Sequence, residues 1–525
     1  MSERLPPILV VSKGTWLELT MEMIDKFIDR ITVYRLLIYY LSALLVVAVG
    51  LSLFGDLQYN PLYIIISATI LVVSCWVINR IFAFIFDAPI NPESSIITAL
   101  ILALIITPQL KVYDITFLLA APGLAIASKY LITIRKKHIF NPAAIAVLLT
   151  MFGPRQSASW WVGTAAMLPF VIIGGILIAR KARRGRMVTT FFIATTLATV
   201  LYSILDKANI DTNLYSMLLS SPIFFLGFVM LVEPLTSPGN AKNQTWYAIL
   251  VGALLPPQAN IFSFYSSPEL ALIVGNIFSY IVSPKIKLFP TLKEKLEVAT
   301  NTMDFVFASG QKLIYKPGQY MEFTFQHDNP DSRGSRRYFT LASSPTEEDL
   351  RIGIKFYDEG SSFKHAMLEM DSDASIVASQ LTGDFVLPKS PHQKLAFIAG
   401  GIGITPFRSM VKFLIDTGEK RAITLLYSAR SETDIAYREV FEEARQTVGV
   451  NTFYGITDLA AEVSGAYSFR GSITADIIAQ AIPDFKERIF YISGTHSMVI
   501  SMRDLLFRLG VPHKNIKVDF FPGYV

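Results

Sequence analysis

The chain has 525 residues, of which 52% are hydrophobic and 17% charged, and its mean hydropathy is +0.43. This hydropathy exceeds that of an ordinary soluble globular protein, and the length allows two or three domains. The net charge of +5 is too modest to indicate a nucleic-acid partner, and the single cysteine, Cys75, excludes disulfides and cysteine-ligated iron–sulfur clusters.

Residues 1–30 form a predicted cytoplasmic segment, and residues 31–284 form a predicted polytopic α-helical membrane domain. A membrane-spanning helix needs about 20 mostly apolar residues. About ten passes are predicted, and the third, fifth, ninth and tenth are short. The predicted passes are 34–54, 62–86, 95–107, 115–134, 141–152, 160–179, 187–205, 214–232, 246–255 and 270–282.

The loops between these passes differ in positive charge. One set of loops carries ten basic residues, and the alternate set carries Lys111, Arg155 and Lys207. By the positive-inside rule the first set of loops is cytoplasmic. We therefore expect a protein of the cell membrane whose downstream half also lies on the cytoplasmic side. The basic residues of the cytoplasmic set are Arg80, Arg135, Lys136, Lys137, Arg180, Lys181, Arg183, Arg184, Arg186 and Lys242.

Residues 285–296 are interpreted as a linker, and the remaining chain reads as two soluble domains. Residues 297–392 contain alternating apolar stretches that are typical of an antiparallel β-barrel. Residues 393–525 alternate strand-like and helical stretches, which is the pattern of an α/β domain with a parallel sheet.

A glycine-rich turn follows the first strand of the second soluble domain. The sequence Ile398–Pro406 reads IAGGIGITP, with a helix expected to begin at Thr405 and Pro406. Glycines allow close approach of a pyrophosphate, and the first turn of a helix offers free N–H groups. We therefore expect Gly400, Gly401 and Gly403 to bind a nucleotide, and a side chain at Gly403 to block the phosphates.

Several motifs around this turn occur in a characteristic order. They are Pro317-Gly318-Gln319-Tyr320, Arg337-Tyr338-Phe339-Thr340, Gly383-Asp384-Phe385, Tyr427-Ser428-Ala429-Arg430 and Tyr491-Ile492-Ser493-Gly494. In this order they resemble the ferredoxin–NADP reductase superfamily, including the reductase component of Nqr. The resemblance implies an oxidoreductase with an FAD-binding barrel and an NAD(P)-binding domain.

The resemblance also implies roles for individual residues in FAD binding. Arg337 would pair with the pyrophosphate, either Phe339 or Tyr338 would lie against the isoalloxazine ring, and Thr340 would hydrogen-bond near its N5 atom. Arginine suits a diphosphate because its planar fork makes charge-assisted bonds in pairs. The other FAD-binding positions that we predict are Tyr320, Ser343, Gly360, Ser361, Ser362 and Gly383.

Similar expectations apply to the nicotinamide coenzyme. Ser493 would lie beside the nicotinamide and is, with Thr340, a predicted catalytic residue. Phe521 would shield the flavin. Coenzyme choice stays open, because Arg430 would suit the 2′-phosphate of NADPH, yet its segment is similar to that of the NADH-using reductase components of Nqr. Further predicted coenzyme-binding positions are Thr405, Pro406, Gly494 and Met498.

The membrane half carries a second resemblance, on His138–Ala144 and Val232–Pro238. These stretches, set among ten predicted passes, look like the NqrB/RnfD family, whose members are membrane components of flavin-dependent, ion-pumping redox complexes. Covalent FMN in that family is attached within a Ser/Thr-Gly-Ala-Thr motif, which the membrane half lacks. A second, non-covalent flavin or a quinone near Asn141, Pro142 and residues 233–238 is therefore the expectation.

Together these features predict a membrane-bound NAD(P)H dehydrogenase that passes electrons to a quinone or flavin acceptor. Whether the acceptor flavin belongs to an FMN-carrying partner protein, and whether ions are transported, stays open. A passive membrane anchor and a redox-sensing transporter are alternatives. A haem-containing reductase is disfavoured, because His138 is the sole histidine of the membrane half. No metal site is predicted.

Overall fold

The computed structural model describes residues 24, 28, 31–88, 92–110, 112–134, 137–152, 157–261, 264–283, 286–331, 333–357, 360–458, 460 and 468–521. A helical block comes first, followed by a β-barrel and a parallel sheet. Among the basic loop residues named above, Lys111, Arg135, Lys136 and Arg155 lie outside the described residues.

Each of the ten predicted membrane segments overlaps a helix of the first block. The helices are α1 (Val33–Phe54), α2 (Pro61–Ile85), α3 (Pro92–Ile105), α4 (Val112–Leu131), α5 (Pro142–Thr150), α6 (Leu168–Lys181), α7 (Gly185–Leu205), α8 (Ile210–Leu219), α9 (Ile223–Phe225), α10 (Ala241–Leu254) and α11 (Pro268–Val282). A π-helical turn, Leu226–Met230, continues α9. Two short hairpins, β1 (Thr133–Ile134) with β2 (Lys137–His138) and β3 (Asn260–Ile261) with β4 (Phe264–Tyr265), lie between helices.

Within the described residues, three helices are long and apolar enough to cross a membrane: α1, α2 and α7. The pair Ile210–Leu219 and Ile223–Met230, bent by 58°, adds a fourth if it is one span. The remaining apolar helices are shorter. The structure thus has three or four candidate spans by length and composition, and the predicted count of ten is not shown.

Two antiparallel sheets form the barrel. One has the strand order β10-β7-β6 and the other β5-β11-β8-β9. The strands are β5 (Lys287–Leu288), β6 (Thr291–Ala299), β7 (Thr302–Ala308), β8 (Tyr320–Thr324), β9 (Arg336–Thr340), β10 (Leu350–Lys355) and β11 (Val377–Thr382), with helix α12 (Ser362–Glu369) between the last two. Strands β5 and β6 begin inside residues 285–296, the segment interpreted above as a linker.

The last unit is a six-stranded parallel sheet in the order β15-β14-β13-β12-β16-β17. Its elements are β12 (Leu395–Gly400), α13 (Thr405–Thr417), β13 (Ile423–Ala429), α14 (Arg438–Thr447), β14 (Asn451–Ile456), β15 (Ser468–Arg470), α15 (Ala475–Ala481), β16 (Ile489–Thr495), α16 (His496–Arg508) and β17 (Ile516–Phe521). The central strand β12 is apolar along its length because helices cover both faces of a parallel sheet.

Candidate functional site

The glycine turn joins β12 to α13 through a single turn of 3₁₀ helix, Gly401–Ile404. Pro406 lies at the start of α13, and no described side chain caps its first turn. The Thr405 N–H is bonded to the Ile402 carbonyl oxygen. Gly401 has a φ of +51°, and a Cβ there would meet open space. The backbone at Gly401 is therefore open to the approach of a ligand.

Gly403 has a different reason to be glycine. It is buried, and a Cβ there would lie 2.5 Å from the carbonyl oxygen of Ser493 and 2.7 Å from the Cα of Gly494. The expectation that a side chain at Gly403 would block the phosphates stays a prediction. The structure gives a second reason for glycine here, because Gly403 lets the turn pack directly against strand β16.

Ser493 and its neighbours lie at the carboxyl end of β16, next to β12. The Ser493 side chain is fully buried, and its Oγ makes no hydrogen bond within the described part of the chain. Met498 covers the backbones of Gly400 and Gly494. A buried hydroxyl without a partner is costly, so Ser493 fits a site completed by a polar group of a ligand.

Four predicted flavin positions are close together at one edge of the barrel. The rings of Tyr320 and Tyr338 meet edge to face with centroids 5.6 Å apart. Tyr320 is paired across the strands with Thr340, and a Cβ on Gly383 would lie 3.2 Å from the Tyr320 ring. These residues come from β8, β9 and the loop after β11, so only the folded barrel brings them together.

The choice between Tyr338 and Phe339 follows from how deeply each side chain of β9 is buried. Tyr338 is 42% exposed, so its ring is available to a ligand. Phe339 packs on Phe323 and Phe363, with ring centroids 5.9 and 6.0 Å away, and adjoins the barrel core. Tyr338 is therefore the accessible aromatic side chain.

Burial raises the pKa of the Tyr320 phenol, and charges from three parts of the chain act on it. Asp519, in the last strand, and Asp384, after β11, raise this pKa further, whereas Arg183 and Arg184, in the loop before α7, lower it. The predicted flavin edge thus lies between the parallel sheet and a basic loop of the helical block.

A cationic cluster marks the predicted diphosphate position at the start of α12. Arg337 is buried, and its Nη1 donates to the carbonyl oxygens of Arg333, Gly334 and Arg336 at 2.7–3.0 Å. Burial, together with the nearby charges of Arg333 and Arg337, lowers the pKa of Lys364 to about 8. Positive groups held this close to one another fit a bound diphosphate.

Ser361 caps α12, and Ser362 contacts an acidic residue that sequence reasoning missed. Asp331 Oδ2 accepts from the Ser362 N–H at 3.1 Å and from Arg333 Nη2 at 2.7 Å, and its Oδ1 lies 3.5 Å from Arg337 Nη2. A carboxylate therefore already occupies part of the predicted anion position. The spacing Asp331, Arg333, Arg337 in one loop was the signal that could have revealed it.

The remaining predicted residues have individual environments. Ser343 is buried, and its Oγ and carbonyl oxygen contact Tyr315 and Ser409, which indicates a structural role. The Thr405 hydroxyl donates to the Ile402 carbonyl at 3.2 Å. Arg430 is exposed just beyond β13. The Phe521 backbone belongs to β17, and its side chain lies outside the described residues.

A narrow cavity of about 30 Å³, enough to hold a water molecule, lies in the helical block. Its lining includes Asn141, Pro142 and Glu233, together with the hydroxyl-bearing Ser94 and Thr98. Asn141 Nδ2 donates to Glu233 Oε2 at 2.7 Å. The cavity lies between the Asn141-Pro142 turn and the turn that begins at Glu233, and a second flavin or a quinone at this place stays a prediction.

The glycine turn and β16 match a known family of domains. Residues 397–504 match the model of the oxidoreductase NAD-binding domain. Flavohemoprotein A of Dictyostelium discoideum is 25% identical over 243 residues, which are 43% of this chain and 58% of that protein. The glycine betaine monooxygenase reductase subunit of Chromohalobacter salexigens is 24% identical over 227 residues, 42% of this chain and 59% of that protein.

Solved structures similar to the carboxyl-terminal half include the Amycolatopsis cytochrome P450 reductase GcoB, with 19% identity and a TM-score of 0.41, covering 46% of this chain and 72% of GcoB. Within this half, residues 397–504 thus resemble an oxidoreductase NAD-binding domain, and the curated relatives include a reductase subunit. The chain spans under three-fifths of the length of the curated relatives it matches. The likeness of residues 31–284 to the NqrB/RnfD family stays a prediction.

Proposed function

We propose that the protein is a membrane-bound flavoprotein oxidoreductase that takes hydride from NAD(P)H at the cytoplasmic face. The observation that carries this proposal is the position of the glycine turn. It lies beside the buried Ser493 hydroxyl, which has no hydrogen-bond partner among the described residues, at the carboxyl ends of adjacent parallel strands, where dinucleotides bind in such sheets. Gly401 and the first turn of α13 receive the phosphates, and Ser493 contacts the nicotinamide.

The residues around Tyr338 and α12 fit FAD. The cationic cluster of Arg333, Arg337 and Lys364 would hold the diphosphate, and the rings of Tyr320 and Tyr338 would border the isoalloxazine. When bound, the flavin supplies the conversion from a two-electron hydride to single electrons. Thr340 and Gly383 orient the reacting edge, and Met498 narrows the opening to water.

We further propose that the electrons go to a quinone or a second, non-covalent flavin in the cavity beside Asn141 and Glu233. With a quinone, NAD(P)H and one proton yield NAD(P)⁺ and the quinol, so two electrons and two protons are transferred in all. The apolar lining suits such a ring, but the cavity is smaller than the ring, so the helices around Asn141 and Glu233 must move apart to admit it. Domain boundaries at 31–284, 297–392 and 393–525 belong to the same proposal.

The test is cofactor extraction from the purified full-length chain, followed by turnover. We expect FAD to be released on denaturation, and NADH or NADPH to reduce a short-chain ubiquinone in liposomes. Collapsing the membrane potential should change the rate if electrons move across the bilayer, because each charge is worth about 2.3 kcal/mol per 100 mV. Dye reduction without quinone reduction would indicate a passive membrane anchor.

A further inference from the structure

We propose that the reductase half works in one fixed position on the helical block, so that electrons pass directly across a wall shared by the flavin edge and the cavity. This inference rests on the proposed function for the electrons, whereas the fixed position can be tested without it. Three groups of contacts support it, and we call them together the seam.

The first group centres on Tyr34, near the start of α1. Its hydroxyl donates to Glu322 Oε2 at 2.9 Å, and both side chains are buried. Tyr34 also lines the cavity. Glu322, in β8, lies directly across the strands from Tyr338 in β9. Tyr34 therefore contacts the cavity on one side and the strand pair that carries the predicted flavin edge on the other.

Arg336 completes this first group. Its guanidinium lies 4.3 Å from the centroid of the Tyr34 ring and 3.8 Å from Glu322 Oε1. Arg336 is buried and belongs to the same strand as Tyr338. A buried cation and carboxylate need close partners, and here the phenol of α1 provides a hydrogen bond to one and an aromatic face to the other.

The second group surrounds Gly383. The Thr382 hydroxyl donates to the carbonyl oxygen of Gly239 at 2.8 Å, and Asp384 Oδ2 accepts from the backbone N–H of Ala241 at 2.9 Å. Asp384 thus caps the start of α10, where a carboxylate is favourable. Both neighbours of a predicted flavin residue are attached to the turn that follows Glu233.

The third group is formed by Arg35, Glu93 and Gly334. Arg35 Nε lies 2.7 Å from Glu93 Oε1, and a Cβ on Gly334 would lie 2.6 Å from the same oxygen. The barrel loop therefore packs directly on helix α3. Three separated groups of contacts restrain both translation and rotation, as a single flexible tether would not.

Direct transfer follows from this arrangement. A flavin bound beside Tyr338 would supply the two electrons of NAD(P)H singly, and Tyr34, Glu322 and Tyr338 would lie between it and an acceptor bound beside the cavity. A quinone acceptor would take up two electrons and two protons. No movement of the reductase half is needed between the two events. Tyr34 and Glu322 are positioning residues, since they set the separation of the two sites.

Distances between spin labels test the fixed position. Nitroxides are placed at Arg186→Cys and Lys420→Cys, both exposed positions, in a Cys75→Ala background of the full-length chain. We expect one narrow distance that does not change on addition of NADH. A pair within the reductase half, Lys312→Cys with Lys420→Cys, sets the width for a rigid unit. Several distances, or a shift caused by NADH, would overturn the proposal.

A disulfide across the seam tests the need for movement. The Cβ of Thr382 lies 2.9 Å from the place of a Cβ on Gly239, somewhat closer than the roughly 3.8 Å of a disulfide, so a small adjustment joins Gly239→Cys to Thr382→Cys. We expect the oxidised protein to reduce a short-chain ubiquinone within about twofold of the rate of the reduced protein. Loss of that rate on oxidation, with recovery on reduction, would contradict fixed docking.

The two proposals fail in different ways. If oxidised and reduced proteins both reduce a soluble dye but not the quinone, the acceptor assignment is wrong, and the spin-label distances still decide the fixed position. If the dye is not reduced either, the reductase assignment fails. If the disulfide does not form under oxidising conditions, the seam is open in solution and the fixed position is wrong.

Discussion

Arg408 and Glu347 form a two-pronged ion pair, with Nη1–Oε2 at 2.6 Å and Nη2–Oε1 at 2.9 Å. Arg408 belongs to α13, the helix after the glycine turn, and Glu347 follows the last residues of the β9 motif. Arg408 Nη1 also donates to the Ala342 carbonyl at 2.7 Å. The pair therefore joins the parallel-sheet unit to the β-barrel, and neither residue was predicted from the sequence.

Removing one partner of this pair should be costly. Arg408→Met leaves the Glu347 carboxylate without its main partner, and breaking a largely buried pair in this way costs about 3 kcal/mol. We expect a lower midpoint of thermal unfolding for the reductase half of the full-length protein. The double variant Arg408→Met with Glu347→Gln should recover part of the loss, and equal destabilisation of both variants would argue against the pair.

FAD binding should depend on pH through Lys364. Burial, with Arg333 and Arg337, lowers the pKa of Lys364 to about 8, and a bound diphosphate would raise it. Binding then takes up a proton above pH 8, so FAD affinity should be constant below this pH and weaken as pH rises through it. Flavin fluorescence titrations of the apoprotein measure this. Lys364→Met should lose the dependence, whereas the exposed control Lys312→Met should keep it.

Arg337 should be needed for flavin retention. Arg337→Ala removes a cation from the diphosphate position and three hydrogen bonds to the surrounding loop, each charge-assisted bond being worth roughly 1.5–3 kcal/mol. The flavin-to-protein ratio after purification should fall sharply, and Arg337→Lys should retain an intermediate amount. If the Arg337→Ala protein kept its full flavin content and reduced the dye normally, the assignment of Arg337 to diphosphate binding would be wrong.

The two glycines of the turn should respond differently to substitution. Gly403→Ala places a Cβ against the Ser493 carbonyl, so it should separate the turn from β16 and raise the KM for the nicotinamide at least tenfold while FAD remains bound. Gly401→Ala has room for its Cβ and carries only the cost of a positive φ, about 1–2 kcal/mol. Steady-state kinetics and flavin content distinguish the two, and an unchanged KM in Gly403→Ala would mean that the loop has another purpose.

Ser493 should matter for turnover and not for stability. Its hydroxyl has no partner in the described residues, so Ser493→Ala should leave thermal unfolding unchanged or slightly raise it. Loss of a contact to the nicotinamide should nevertheless slow flavin reduction by NAD(P)H, by about tenfold for one hydrogen bond of about 1.4 kcal/mol. Stopped-flow bleaching of the flavin measures the rate, and a marked loss of stability would instead indicate a structural hydroxyl.

The sequence alone determined the elements whose signals are local. Long apolar runs predicted segments that overlap helices, alternation predicted the barrel, and the glycine turn predicted the boundary of β12 and α13. The order and spacing of the short motifs were sufficient to predict the class of reductase, because each motif lies within a few residues of the end of a strand. The number of true membrane spans was not determined in this way, since short apolar helices serve equally well in a buried bundle.

Only the tertiary structure decided which way side chains face and which distant residues meet. Both faces of β9 are covered in part, so the alternation of its side chains could not show whether Tyr338 or Phe339 is accessible to a ligand. The packing of Gly403 on Ser493 and the position of Asp331 at α12 depend on strands and loops joined far apart along the chain. Tyr34 and Glu322 are 288 residues apart, and only the docking of the barrel on α1 brings them together.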